Sequence, residues 1–267
     1  MESLAASFVL GIVEGLTEFL PVSSSGHLVL ASHALGLAGE RAATFDVVIQ
    51  TGAIFAVVLL YWERFTGLVL PKRRSSLSGL RGLLLLALTT FPGALLGLLL
   101  HGQIKALFRP LPVVLALVSG ALFMLAAERW LASRHERSET QLDRVTPMQA
   151  LGIGCFQCLA LWPGFSRSAS TIVGGMFLGL SRRSAAEYSF IAAVPIIMGA
   201  AGYDIIKSLS VFTAGDIPFF IVGSAAAFAS AVFAIKVFIR LLAHVTLVPF
   251  ALYRMALAIP VYWLMAS

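Results

Sequence analysis

The sequence predicts an all-α integral membrane protein made of two inverted-topology repeats, each a re-entrant helical hairpin followed by three transmembrane helices. Three observations predict it. The 267 residues are 59% hydrophobic and only 12% charged, with a mean hydropathy of +0.92, whereas soluble domains carry about a quarter charged residues. Six apolar runs have the length of about 20 residues that crosses hydrocarbon. Two further apolar regions are interrupted by a proline and a small polar run. So few charges leave too little polar surface to keep a 28.5 kDa globule in water. A soluble enzyme, a disordered chain and a nucleic-acid-binding domain are thereby excluded, and the net charge of +6 reads as a topology signal.

The first repeat, residues 1–131, opens with an apolar segment at 3–36 in which Leu20-Pro21 precedes Val22-Ser23-Ser24-Ser25-Gly26-His27. Proline ends or kinks a helix, and backbone groups freed in hydrocarbon survive only where protein or a polar cavity serves them. The segment is therefore predicted to enter and leave the membrane on one side. Spans at about 43–62, 80–100 and 111–131 complete this repeat, and a polar linker occupies 132–146. The second repeat, 147–267, begins with a region at 147–180 in which Trp162-Pro163-Gly164 precedes Phe165-Ser166-Arg167-Ser168. It reads as a second hairpin, with spans to follow at about 184–207, 216–240 and 246–265. Pro21 and Pro163 open equivalent breaks, each with a serine three residues later, Ser24 and Ser166. Three spans is an odd number, so the second half starts on the opposite membrane face. Such folds bind their ligands near the midplane, where broken helices meet.

Basic residues set the orientation. Thirteen fall on one predicted face, among them Arg64, the Lys72-Arg73-Arg74 cluster, Arg134, Arg137, Arg182 and Arg183. Only Arg41, Lys105, Arg109 and Lys207 fall on the other. The positive-inside rule then puts both termini and the mouth of the first hairpin outside. No Lys or Arg precedes Arg41, which argues against a cleavable leader. Cys155 and Cys158 are expected to be packing residues on one helix face. Gly52, Gly93, Gly97, Gly199 and Gly223 are expected to let helices approach closely.

Ionisable groups inside a membrane are costly, so each marks a possible site. Glu14 and Glu18 are four residues apart and share a helix face. Two adjacent carboxylates repel unless a proton or cation lies between them, and Mg²⁺ or Ca²⁺ takes oxygen ligands. Ser23, Ser24 and Ser25 lie at the start of the second half-helix, where free N–H groups and the dipole favour an anion. Ser166 and Ser168 repeat this arrangement, and Arg167 adds a guanidinium that grips phosphate oxygens. A serine at a helix start is often only a cap, but two such termini with an arginine, two glutamates and a histidine favour a phosphate site. His27, within a turn of Ser24, is a candidate general base. Asp46, Gln50, Glu187 and Arg254 fall inside spans, and Arg254 is expected to pair with Asp46 or Glu187, the alternative being a role in orienting the site.

These residues carry a resemblance. EGLTEFLPVSSSGH at 14–27 and PGFSRSAST at 163–171 are similar to the two signature motifs of the bacterial undecaprenyl-diphosphate phosphatases of the bacitracin-resistance type. FDVVIQTGAI at 45–54, GCFQCLALWPGFSRS at 154–168 and the Tyr-Arg pair near the C-terminus also resemble that family, so the likeness spans the whole chain. The resemblance implies a metal-dependent phosphatase in the bacterial plasma membrane. Its substrate would be undecaprenyl diphosphate, and its product the lipid carrier used in cell-wall synthesis. It implies inverted repeats, a homodimer, contact with membrane lipids and a site open to the periplasmic side. By motif position, Glu14 and Glu18 are the metal-linked acids, Ser24 the candidate nucleophile with His27 nearby, and Arg167 the diphosphate-binding arginine. Ser23, Ser25, Ser166, Ser168 and Thr171 line the pocket. A serine at 25 where many relatives carry threonine keeps the hydroxyl. The rival reading from the residues is an anion or lipid-phosphate carrier, since broken helices in inverted repeats also typify secondary transporters.

Overall fold

Apolar runs broken by proline give helices of two lengths, and the computed structural model shows both. It describes residues 3–37, 40–70, 75–107, 109–133, 140–208 and 214–266. Lys72, Arg73, Arg74, Arg134 and Arg137 lie outside the described residues, as do the side chains of Arg41 and Lys105. The first hairpin is α1 (Leu4–Thr17) and α2 (Ser24–Ala34). It is followed by α3 (Glu40–Leu60), α4 (Trp62–Val69), α5 (Gly79–Leu99), α6 (His101–Ala106) and α7 (Pro110–Ala132). The second hairpin is α8 (Pro147–Gln157) and α9 (Arg167–Phe177), followed by α10 (Arg182–Ser208), α11 (Ile217–Leu241) and α12 (Val248–Ala266). No β-strand occurs among the described residues.

Each predicted span is a helix, and two short helices lie outside the predicted spans. The chain turns by 79° between α3 and α4, close to where the predicted span ends, and Trp62–Val69 form a separate helix. His101–Ala106, between two predicted spans, form α6. By length and composition α5, α7, α10 and α11 each suffice to cross a bilayer, and α3 with α4 qualifies as a bent pair, while α12 is apolar but shorter. Leu80, Phe91, Leu98, Leu99, Ile221, Phe233, Ile259 and Trp263 are exposed. In water such a surface would drive aggregation, whereas in a bilayer it meets lipid.

Small residues lie among the Leu, Ile and Phe of the interior, as expected where lipid is as apolar as the core and close packing holds helices together. A Cβ on Gly11 would fall 2.2 Å from the carbonyl oxygen of Gly223, and one on Gly15 an equal 2.2 Å from that of Ala227. Only glycine permits α1 to lie this close to α11. Gly199 is different: nothing lies within 4 Å of where its Cβ would be, so close approach does not explain it. Cys155 is exposed and not packed, and Cys158 is partly buried, donating its thiol to the Gly154 carbonyl at 3.4 Å.

Several helix pairs recur when the two halves are exchanged, although among the described residues α9 on α10 and α1 on α3 pack without such a counterpart. α1 packs on α11 and α8 on α5, α2 on α12 and α9 on α7, while α3–α10 and α7–α12 pair across the halves. One end of the molecule is fastened by charges. Glu128 at the end of α7 accepts from Arg182 Nη2 at 2.6 Å and Nε at 3.1 Å, and from the backbone N–H of Leu247 at 2.9 Å. Arg64 on α4 forms a two-pronged ion pair with Asp143 of the linker. Glu187 pairs with Arg183 on its own helix at 2.9 Å.

Candidate active site

Both breaks are solved by the same backbone device. Ser23 and Ser166 have φ of 71° and 78°, and they are the non-glycine residues with positive φ among the described residues. That conformation costs about 1–3 kcal/mol and collects at functional sites. Each serine caps the half-helix after it: Ser23 Oγ accepts from Gly26 N at 3.4 Å, and Ser166 Oγ from Ala169 N at 3.2 Å. Each also bonds to the serine two residues on, Ser25 at 3.2 Å and Ser168 at 3.0 Å. The equivalence therefore runs Ser23 to Ser166, not Ser24 to Ser166 as counting from the prolines suggests. Gly164 and Phe165 fill the second break where Val22 alone fills the first. The corrected register makes Ser24 and Arg167 counterparts, each the first residue of its half-helix.

Glu18 joins these two positions. Its Oε2 accepts from Ser24 Oγ at 2.6 Å, and its Oε1 from Arg167 Nη2 at 3.3 Å and Nε at 3.4 Å. Arg167 lies over the Phe19 ring at 6.0 Å from its centroid, and Ser168 Oγ donates to the Leu20 carbonyl at 2.7 Å. The tips of the hairpins are thus tied together. A cavity of about 300 Å³ opens beside them, lined by Glu18, Ser23, Ser24, Ser25, Ser166 and Arg167, with Gln50, Ile104 and Ile197 on its walls.

Not every predicted site residue reaches this cavity. His27 was expected to serve Ser24 as base, but the Ser24 hydroxyl is directed at Glu18. The His27 ring bonds instead to the Ser23 carbonyl at 2.8 Å and the Tyr253 hydroxyl at 2.7 Å, and stacks on Tyr253. Both rings line a separate apolar groove of about 610 Å³ between α1, α11 and α12. Spacing alone would leave His27 on the face of Ser24, but both ring nitrogens are taken by the Ser23 carbonyl and the Tyr253 hydroxyl. Thr171 also stands back from the cavity, buried and hydrogen-bonded to Ser189 at 2.6 Å.

Glu14 is fully buried, and neither of its carboxylate oxygens has a hydrogen-bond partner. Among the described residues, Glu18, Asp46 and Arg167 are its charged neighbours. A buried, unpartnered carboxylate is costly unless a proton or cation joins it, so its donor chemistry fits a hard cation. The protein's own donor set is small, because no group of three or more His, Cys, Asp or Glu converges among the described residues.

Arg254 does not pair with Asp46 or Glu187. Its guanidinium, completely buried, donates from Nη2 to the carbonyls of Phe165 at 2.8 Å, Gly164 at 3.0 Å and Ala116 at 3.3 Å. It braces the second hairpin turn, while its neighbour Tyr253 braces the first. The alternative of a role in orienting the site is the one the contacts fit, but sequence reasoning missed the partners, because backbone carbonyls satisfy an arginine without leaving any pattern of acidic residues. It also missed Ser189, which accepts from Arg167 at its carbonyl at 3.1 Å. A serine inside an apolar span carries no distinguishing signal.

Fold and site define a class: a multi-pass, all-helical membrane protein whose two broken helices meet at a polar cavity holding an arginine, a carboxylate and hydroxyls. The chain matches the family described as "Bacitracin resistance protein BacA" over residues 7–260, and it belongs to that family. It is 59% identical, over the full length of both chains, to a protein of Desulfovibrio desulfuricans named "Undecaprenyl-diphosphatase". Proteins of the same name from Maridesulfovibrio salexigens and Nitratidesulfovibrio vulgaris are 59% and 56% identical, covering 97% and 100% of the chain and the same shares of their own lengths.

Proposed function

We propose that this chain is a membrane phosphatase that hydrolyses undecaprenyl diphosphate to undecaprenyl phosphate and inorganic phosphate, recycling the lipid carrier for cell-wall synthesis and so conferring bacitracin resistance. The observation that carries the reading is Glu18 held between the Ser24 hydroxyl and the Arg167 guanidinium, at the meeting point of two half-helix N-termini. The names of the full-length relatives support it.

Phosphoryl transfer is mostly positioning and charge stabilisation. Arg167 and the free first-turn N–H groups of α2 and α9 bind the phosphate oxygens. Glu18 takes the Ser24 proton. Ser24 Oγ forms a bond to the terminal phosphorus as the bond to the bridging oxygen breaks, and undecaprenyl phosphate leaves with the proton that Glu18 took, which frees the carboxylate again. Water then attacks the phosphoserine and releases phosphate, restoring the hydroxyl. Ser23, Ser25, Ser166 and Ser168 hold the two turns in shape around the substrate. His27, through Tyr253, fixes the first turn rather than moving the proton. Glu14 and Glu18 would hold Mg²⁺ or Ca²⁺ together with substrate oxygens, and the cation would offset the diphosphate charge.

The exchange of helix pairs between the halves supports inverted-topology repeats. The bias of basic residues supports a bacterial plasma-membrane protein with both termini and the site outward. Ile104 lines the cavity from α6, at the end of α5 remote from the Arg64–Asp143 pair, and agrees with that orientation. The protein is read as a homodimer in contact with membrane lipids, its exposed apolar surface serving both. A carrier needs phosphate binding but no carboxylate poised on a hydroxyl, which favours the enzyme.

The test is phosphate release from undecaprenyl diphosphate by purified protein in detergent, with Mg²⁺ or Ca²⁺, with excess chelator, and with Arg167→Ala. Release that requires the metal and Arg167 is expected. No release under any condition, with the lipid still bound, would move the reading to a carrier. Release that persists unchanged in Arg167→Ala would overturn the site.

A further inference from the structure

Arg167 is the phosphate-binding group of the reading above, on which this inference rests, so whatever holds its guanidinium sets the geometry of the reaction. One edge is held by Glu18 of the first hairpin. The other is held from α10. Nη1 donates to the Ser189 carbonyl at 3.1 Å and reaches the Ser189 hydroxyl at 3.4 Å. The hydroxyl lies 2.6 Å from Thr171 Oγ1, which lies 2.8 Å from the carbonyl oxygen of Arg167 itself.

Donor and acceptor accounting fixes the directions. A carbonyl only accepts, so the Thr171 hydroxyl donates to Arg167 O. Thr171 Oγ1 then accepts from the Ser189 hydroxyl, whose lone pairs face the guanidinium. The bonds form a closed ring that begins and ends on Arg167 and has no slack for a rotated serine. The ring sits on a firm base. Ser189 and its neighbour Tyr188 are fully buried. The Tyr188 hydroxyl lies 2.7 Å from Thr89 Oγ1 and donates to the Leu85 carbonyl at 3.3 Å, fastening this turn of α10 to α5.

We propose that Ser189 is a positioning residue for the phosphate-binding arginine. Its hydroxyl, aligned by Thr171, sets the plane of the Arg167 guanidinium across the cavity against Glu18. Without the hydroxyl, the carbonyl bond remains but no longer selects one rotation of the guanidinium. Substrate still binds while the reacting phosphate is misaligned.

The experiment measures kcat and KM for undecaprenyl diphosphate, with melting in detergent, for the wild type, Ser189→Ala and Ser189→Thr. Ser189→Ala is expected to lower kcat about tenfold, the scale of one hydrogen bond to a charged group, with KM changed far less and melting unchanged. Ser189→Thr restores the hydroxyl and is expected to recover most of the loss. Ser189→Ala turning over like the wild type overturns the proposal and leaves the phosphatase reading intact. So does an equal loss in both variants, or a loss accompanied by lower melting, since packing rather than the hydroxyl is then responsible. A wild type that releases no phosphate removes the reading itself, and the proposal with it.

Discussion

One methyl group at Gly120 tests whether Arg254 braces the second hairpin. An alanine Cβ there would lie 2.2 Å from Arg254 Nη2, 2.8 Å from its Cζ and 2.8 Å from the Phe165 carbonyl oxygen. Favourable contacts between such atoms lie at about 3.5 Å or beyond, so the guanidinium must retreat by roughly 1 Å. The bonds to Phe165 and Gly164, now 2.8 and 3.0 Å, would then exceed the range in which hydrogen bonds hold. Overpacking alone costs about 1–3 kcal/mol, and each bond from a charged donor contributes about 1.5–3 kcal/mol. A loss of about 3 kcal/mol or more follows, which for a chain of this length lowers melting by roughly 5–10 °C. Arg167 is two residues beyond Phe165, and a displacement of about 1 Å at a reacting group costs on the order of 100-fold in rate. Gly120→Ala is therefore expected to reduce both melting in detergent and phosphate release. If both stay at wild-type values, Arg254 does not hold this turn and the account of the second hairpin is wrong.

Other substitutions separate the remaining parts. Glu18→Gln keeps the shape but cannot take the Ser24 proton or pair with Arg167, so turnover should fall about 100-fold or more, and full activity by radiolabelled lipid assay would remove Glu18 as the base. Glu128→Ala leaves the N–H of Leu247 without its acceptor, at a cost of about 1–3 kcal/mol; lowered melting with near-normal turnover at permissive temperature is expected. The Arg64 guanidinium beside Asp143 holds its carboxyl below the usual carboxylate range. The pair's contribution is thus fully present above the unfolded pKa of about 3.9 and is lost as pH falls through the lower folded value. Asp143→Asn should therefore lower melting slightly near neutral pH and make little difference in strong acid. The effect is small because the pair is partly exposed, and equal melting of the two proteins near neutral pH would count against it.

Much of the architecture is legible in the sequence because a bilayer demands it. Low charge, six long apolar runs and two Pro-interrupted segments leave few alternatives to helical spans and buried breaks. The motif residues Glu18, Ser24 and Arg167 are legible for a related reason: polar groups at that depth are too costly to be incidental. The end of the span near residue 62 is legible as the end of an apolar run, whereas the 79° turn into a second helix, α4, is not, because a turn angle is set by packing against neighbouring helices.

What the sequence by itself determined is the membrane class, the spans, the two breaks and the cast of polar residues. Hydropathy and proline are local properties, and they act before any helix meets another. Only the tertiary structure decided how that cast is arranged. It turned His27 toward Tyr253, gave the Ser24 proton to Glu18, set Arg254 on carbonyls rather than carboxylates and brought Ser189 to Arg167. Each of these contacts joins residues on different elements or selects one of several open partners. Such choices depend on helix rotation and close approach through small residues, which no spacing along the chain records.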